Sequence, residues 1–220
     1  MKLIMLPVEF FGEIFSNRKT LLCFGGIANA LEIPPREFFK VTEGFNCNRV
    51  FVRDFAQSWY HRGLPPITHD ISSTKVYLQT LLQDHQITNS IVACGNSAGG
   101  YGAILFGYLL GVDSILAFSP ICFLSKDKRI QLRDSRWDGW DKILAQTKTP
   151  QYLNLDNFKD RGTIPLTIYH GQGSPDTEHA SLLSCSLSVT VHQVPYVGHG
   201  VVKYLRDNRR LKEILKQVLS

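Results

Sequence analysis

Residues 90–107 read SIVACGNSAGGYGAILFG, which sets Ser97 in a knot of small residues between two apolar runs. SIVAC is short, apolar and bounded by polar residues, as a buried strand would be. From Gly99 to Leu110 the chain reads as a helix of small and apolar residues. Between them Gly95, Asn96, Ser97, Ala98 and Gly99 form GxSxG. A nucleophile carried on so tight a strand-to-helix turn must accept strained backbone angles. Its neighbours must stay small enough for strand and helix to approach. The alternative for the same string is a glycine-rich helix start that binds a phosphate or nothing.

Working outward, the strand and helix alternation repeats. TLLCFGGI (residues 20–27), NRVFVRD (48–54), DSILAFSP (113–120), IPLTIYHG (164–171) and LSVTVHQVP (187–195) are apolar or β-branched runs that read as strands. PPREFFKVTEG (34–44) reads as a helix that starts at prolines and stops at Gly44. In SSTKVYLQTLLQDH, Tyr77, Leu78, Leu81 and Leu82 fall on one helical stripe behind serine and threonine caps. A short helix is expected near residues 179–183. A final amphipathic helix is expected from about Val201 to Leu219, with Tyr204, Leu211, Leu215 and Val218 facing inward. Such alternation predicts an α/β fold with a mostly parallel central sheet covered by helices on both faces. Function in such sheets gathers at the carboxyl ends of the strands.

The chain has 220 residues, 44% of them hydrophobic, and no long polar tract, which suits a single domain of residues 1–220. Residues 121–162 break the alternation with charges and scattered aromatics, and read as a cap or lid-like insertion. The first 15 residues are interrupted by Pro7, Glu9 and Glu13, unlike a secretory leader. No apolar run approaches the ~18 residues of a membrane span. A soluble, cytoplasmic protein is the expectation. Cys23, Cys47, Cys94, Cys122 and Cys185 lack the paired short spacings of a zinc site and read as buried thiols. Much of the formal charge of +5 is concentrated in RDNRRLKEILKQ, which reads as a solvated helix face. No metal or other cofactor is expected. The partner expected is a small-molecule acyl substrate, with no nucleic acid and no membrane, and a homodimer as an open option.

A serine nucleophile needs a base within reach. His199, in PYVGHGVV after the last predicted strand, lies at the sheet end that carries Ser97 and is flanked by Gly198 and Gly200. His170, at the end of LTIYHG, competes with it but reads as a structural or pocket residue. His179 is placed to orient the loop before it. The base needs an orienting carboxylate. QGSPDTEHA offers Asp176 and Glu178, of which Asp176 is preferred, with a helix-cap role as its alternative. Asp54, Asp113 and Asp156 are weaker alternatives. An oxyanion hole would draw on the amide of Ala98 and on one from FGGIAN, at either Gly26 or Ile27. Trp59 and Tyr60 in QSWYHRGLPP, with Trp137 and Trp140 in the insertion, either line an apolar substrate pocket or pack the cap.

GNSAG, then SPDTEHA after the next-to-last strand, then GHG after the last, resemble the α/β-hydrolase superfamily in motif and in the order Ser, Asp, His. FVRDFAQSWY and DTEHA resemble segments of small bacterial hydrolases associated with glycan or secondary-metabolite pathways. The likeness spans nearly the whole chain. It implies that fold, a Ser97, His199 and Asp176 triad, and a serine hydrolase acting on an ester, thioester or amide through an acyl-enzyme. An acyltransferase using the same triad is one alternative. A cyclising, isomerising or ligand-binding protein on the same fold is the other.

Overall fold

The structure, a computed structural model, describes residues 6–27, 37–87, 90–136, 141–158, 163–173, 175–184 and 188–219. Its frame is a seven-stranded sheet. The strands are β1 (Val8–Phe11), β2 (Thr20–Phe24), β3 (Asn48–Val52), β4 (Ile91–Asn96), β5 (Ser114–Phe118), β6 (Leu166–Gln172) and β7 (Val189–Val197). They lie in the order β1-β3-β2-β4-β5-β6-β7. All neighbours are parallel except β1, which pairs antiparallel with β3.

Every residue of β2 and β4 is buried, which is why these runs read as continuously apolar rather than alternating. The alternation reappears in which core each side chain joins. Leu22, Phe24 and Ala93 pack on one face, and Leu21, Cys23, Val92 and Cys94 on the other. The first face is covered by α1 (Ile71–Asp84) and α2 (Ala98–Leu110), with Phe24 stacked on Phe106 at 5.5 Å. The second is covered by α6 (Val201–Asp207) and α7 (Arg210–Leu219) through Val201, Leu205, Leu211 and Leu215. α5 (Asp176–Leu183) connects β6 to β7. Among the described residues no helix is long and apolar enough to cross a membrane.

The expected strands form, and three local readings are corrected. Residues 37–44 are turns and not a helix, because Phe38 takes φ +70°, which ends any right-handed run there. α1 is capped by Asp70, whose carboxylate accepts from Ser73 N–H at 2.7 Å while Ser73 Oγ accepts from Asp70 N–H, rather than by a serine or threonine. The final helix is two helices, broken where Arg209 takes φ +60°. β1 had no signal of its own: a half-exposed edge strand interrupted by Glu9 lacks the apolar run of its neighbours.

Among the described residues the insertion after β5 holds α3 (Lys126–Gln131), α4 (Asp141–Leu144) and short 3-10 turns at Pro150–Tyr152 and Leu155–Phe158. It is tied back on itself by a bridge between Phe123 and Asn154. Cys23, Cys47, Cys94 and Cys122 are buried free thiols, and Cys185 lies outside the described residues.

Candidate active site

β2 and β4 are adjacent, and the chain leaves them in opposite directions across the sheet. A crevice opens at such a switch of strand order, beyond the carboxyl ends. β4 ends at Asn96 and α2 begins at Ala98, so Ser97 alone makes the turn, at φ 58° and ψ −119°. Ser97 N–H donates to the Phe118 carbonyl at 2.9 Å, which fixes the turn against the end of β5. The flanking glycines are required by contact. A Cβ on Gly95 would lie 2.0 Å from the Gly99 carbonyl oxygen, and one on Gly99 would lie 2.2 Å from that of Phe24.

Ser97 Oγ donates to His199 Nε2 at 2.8 Å. His199 stands between the end of β7 and the start of α6, in a loop pinned to β6 by Gly198 N–H donating to the Gln172 carbonyl. Its Nδ1–H donates to Asp176 at 2.8 Å from Oδ2 and 3.0 Å from Oδ1. Asp176 opens α5, but the cap position is Pro175, so its carboxylate serves the histidine and not the helix end. Burial alone would raise the Asp176 acid. The hydrogen bond and charge of His199, with the charge of Arg136, outweigh it and hold the group down at about 2. Asp176 is therefore ionised across the ordinary pH range.

The competing residues are engaged elsewhere. His170 donates from Nδ1 to the Gly171 carbonyl at 2.7 Å. Glu178 is exposed, Asp113 accepts from Ile91 N–H at the other end of β4, and Asp156 pairs with Lys128 at 3.4 Å. Asp54 accepts from Ser58 N–H and Tyr60 N–H at 2.6 and 2.8 Å, which organises the turn after β3.

Ala98 is the first residue of α2, so its amide has no acceptor within the helix. Gly26 and Ile27 follow β2, directly against the elbow: a Cβ on Gly99 would lie 3.0 Å from Gly26 N. Tyr60 steadies this loop by donating from its hydroxyl to the Gly25 carbonyl at 2.8 Å.

No protein-family model matches this chain, and no curated protein matches it. Solved structures do. The thermophilic esterase Est2 of Thermogutta terrifontis aligns over 96% of this chain and 87% of its own, at 15% identity and a TM-score of 0.64. The capsule O-acetyltransferase of Neisseria meningitidis serogroup A aligns over 96% and 91%, at 17% identity and 0.66. MGS-MChE2, an α/β hydrolase enzyme from a lagoon-sediment metagenome, aligns over 96% and 94%, at 14% identity and 0.62. This chain has the α/β-hydrolase fold.

Within that α/β-hydrolase frame the aromatic residues need correcting. Trp59 and Tyr60 are fully buried and sit in the core, with Tyr60 packed edge-on to Phe24 and Phe106. Both take positive φ and are fully buried, so neither lines an open pocket, and Tyr60 braces the loop after β2 through its hydroxyl. Trp137 and Trp140 lie outside the described residues. The two segments expected to choose substrate do meet. The groove between them, of about 630 Å³, is lined by His61, Arg62, Pro65, Pro66, Gln146 and Lys148 among others, with no Trp, Tyr or Phe in its lining.

A second feature was not anticipated. Glu37 is buried against the elbow and accepts from Asn96 Nδ2 at 2.8 Å. Burial, opposed by that hydrogen bond, raises its acid from 4.5 to about 8. A raised carboxyl stabilises the fold fully below its unfolded value, and that contribution is lost as pH climbs from about 4.5 to about 8. Glu37→Gln mimics the protonated acid and escapes the loss. Between pH 5 and pH 8 wild type should lose about 1 kcal/mol per pH unit relative to the variant. Thermal melts at both pH values read this as a Tm gap that widens by several degrees. An unchanged gap would show that Glu37 does not carry the proton.

Proposed function

We propose that this protein is a serine esterase that works through an acyl-enzyme on Ser97. The observation that carries the reading is the unbroken relay from Ser97 Oγ through His199 to Asp176, at 2.8 Å for each closest contact. His199 Nε2 accepts the hydroxyl proton as Oγ bonds to the carbonyl carbon of an ester. The oxygen gains the negative charge and faces the amides of Ala98 and of Gly26 or Ile27. Collapse of the tetrahedral intermediate breaks the ester bond, and the departing alkoxide takes the proton from His199. Water, deprotonated by the same nitrogen, then releases the acid and restores Ser97. Asp176 keeps Nδ1–H fixed and offsets the imidazolium charge.

The fold likeness to esterases supports an ester over a thioester or amide. The likeness to a capsule O-acetyltransferase favours a second reading, in which a hydroxyl group replaces water in the second half-reaction. Product analysis of an activated acetyl ester, with and without sugar or polyol acceptors, separates the two: acetate alone marks hydrolysis, an acetylated acceptor marks transfer.

The shared first half-reaction is tested by a fluorophosphonate probe. Intact-mass and peptide analysis should find one adduct, on Ser97, that forms quickly on the native enzyme and not after denaturation. Wild type that stays unlabelled while a known serine hydrolase reacts in the same tube would sink the reading.

A further inference from the structure

The insertion after β5 reaches the triad directly. Arg136 donates from Nη1 to Asp176 Oδ1 at 2.7 Å. The same Nη1 lies 3.2 Å from His199 Nδ1, so two donors share one carboxylate. The rest of the guanidinium grips Asp134, with Nε on Oδ1 and Nη2 on Oδ2, both at 2.8 Å. This is the two-pronged geometry that a planar guanidinium supports and an ammonium does not.

Asp134 is itself anchored. Its side chain is fully buried, and Oδ2 lies 3.0 Å from His179 Nε2. Cys122 N–H donates to His179 Nδ1 at 3.2 Å, which makes Nδ1 the acceptor and Nε2–H the donor to Asp134. His179 stacks on Phe123 at 5.6 Å and stands three residues after Asp176 on α5. Residues three apart share a helix face, so one clamp holds both Asp176 and His179. A surface ion pair would be worth little, but this one joins largely buried groups.

We propose that Arg136 is a positioning residue of the acyl-transfer site, held by Asp134 and His179 so that its guanidinium aims Asp176 at His199 and tempers that carboxylate's pull on the imidazolium. The proposal rests on the acyl-transfer reading above and adds the insertion to the machinery. It makes the insertion an electrostatic partner of the triad.

The groups that face the imidazole are Asp176 from α5, Ser97 from the elbow and Arg136 from the insertion. Behind them stand Asp134, His179 and the Cys122 thiol, which senses the Asp176 charge. Tyr196 from β7 reaches the backbone at Gly200. Removing the guanidinium leaves two buried carboxylates to favour the imidazolium in the resting enzyme. Removing the Asp134 charge leaves the guanidinium less neutralised and does the reverse.

The test is the pH profile of kcat/KM on p-nitrophenyl acetate for Arg136→Gln, Arg136→Lys and Asp134→Asn, beside fluorophosphonate labelling of each. Arg136→Gln should move the acid limb up by about one pH unit. It should also lower kcat about 10- to 100-fold with KM nearly unchanged, because a misaimed carboxylate costs orientation rather than binding. Arg136→Lys should restore the limb but only part of kcat. Asp134→Asn should move the limb down. A merely structural clamp would leave the limb in place or move it the same way in Arg136→Gln and Asp134→Asn, and either result overturns the proposal. So does a loss confined to KM, which would make Arg136 a substrate contact. If Arg136→Gln does not fold, the other two variants still decide: the limb stays in place with a reduced kcat in Arg136→Lys and moves down in Asp134→Asn, and a limb that stays put in Asp134→Asn overturns the proposal. Failure of wild type to label at Ser97 would instead remove the acyl-transfer reading itself.

Discussion

Ser97→Ala should lower kcat on an activated ester by about 10⁴-fold or more, with the protein still folded. The alanine methyl cannot form the acyl bond, and the His199 base is left with no proton to accept at 2.8 Å. What survives would come from the proposed oxyanion amides and from binding, which do not depend on the hydroxyl. The backbone supplies a second arm to the same experiment. Ser97 sits at φ 58° and ψ −119°, a conformation that costs a residue with a Cβ about 1 to 3 kcal/mol. Ser97→Gly should therefore be as inactive as Ser97→Ala yet melt a few degrees higher. Kinetics and calorimetry on the two variants would show strain held for the sake of the nucleophile's position. Turnover above about 1% of wild type in Ser97→Ala would remove Ser97 from the chemistry.

The three residues of the relay were legible because their signals are local, although the residues are far apart. Ser97 and His199 are separated by 102 positions, and Asp176 and His199 by 23. Each follows an apolar run that could be recognised by itself. Parallel strands then deliver all three carboxyl ends to one edge of the sheet. His179, read as orienting the loop before it, stands on α5 and binds Asp134 and Cys122 N–H.

Arg136 and Asp134 had no such signal. They lie in charged, aperiodic sequence, and Arg136 meets Asp176 across 40 positions and His199 across 63. A guanidinium that forks two carboxylates looks, in sequence, like any solvated charge run. Trp59 and Tyr60 failed for a different reason. Their burial depends on a tight turn in which Gln57, Trp59 and Tyr60 all take positive φ around Asp54, and residue types of that kind do not announce left-handed backbone. Glu37 was hidden likewise, because its partner Asn96 occupies the variable position of GxSxG.

Gly99→Ala should cost a few kcal/mol of stability and most of the activity, for a reason specific to this turn. The added methyl would stand 2.2 Å from the Phe24 carbonyl oxygen, 2.9 Å from Gly25 C and 3.0 Å from Gly26 N. All three are backbone atoms at the end of β2, so no side chain can swing aside. Either α2 withdraws from the sheet or the Gly25 to Ile27 loop shifts, and the second option displaces the amides proposed to meet the oxyanion. Gly100→Ala is the internal control. Its methyl would meet Pro120 Cβ at 3.0 Å, Pro120 Cα at 3.1 Å and, more loosely, the Phe118 carbonyl oxygen at 3.3 Å, all on the β5 side and away from the β2 loop. It should lower the melting temperature somewhat and leave the catalytic rate within about tenfold, since a displacement there does not reach the oxyanion amides. Fluorophosphonate labelling rates, corrected for the folded fraction, separate the outcomes. A Gly99→Ala enzyme that labels as fast as Gly100→Ala would mean that the β2 loop gives no donor to the reaction, and that Ala98 N–H serves the oxyanion without it.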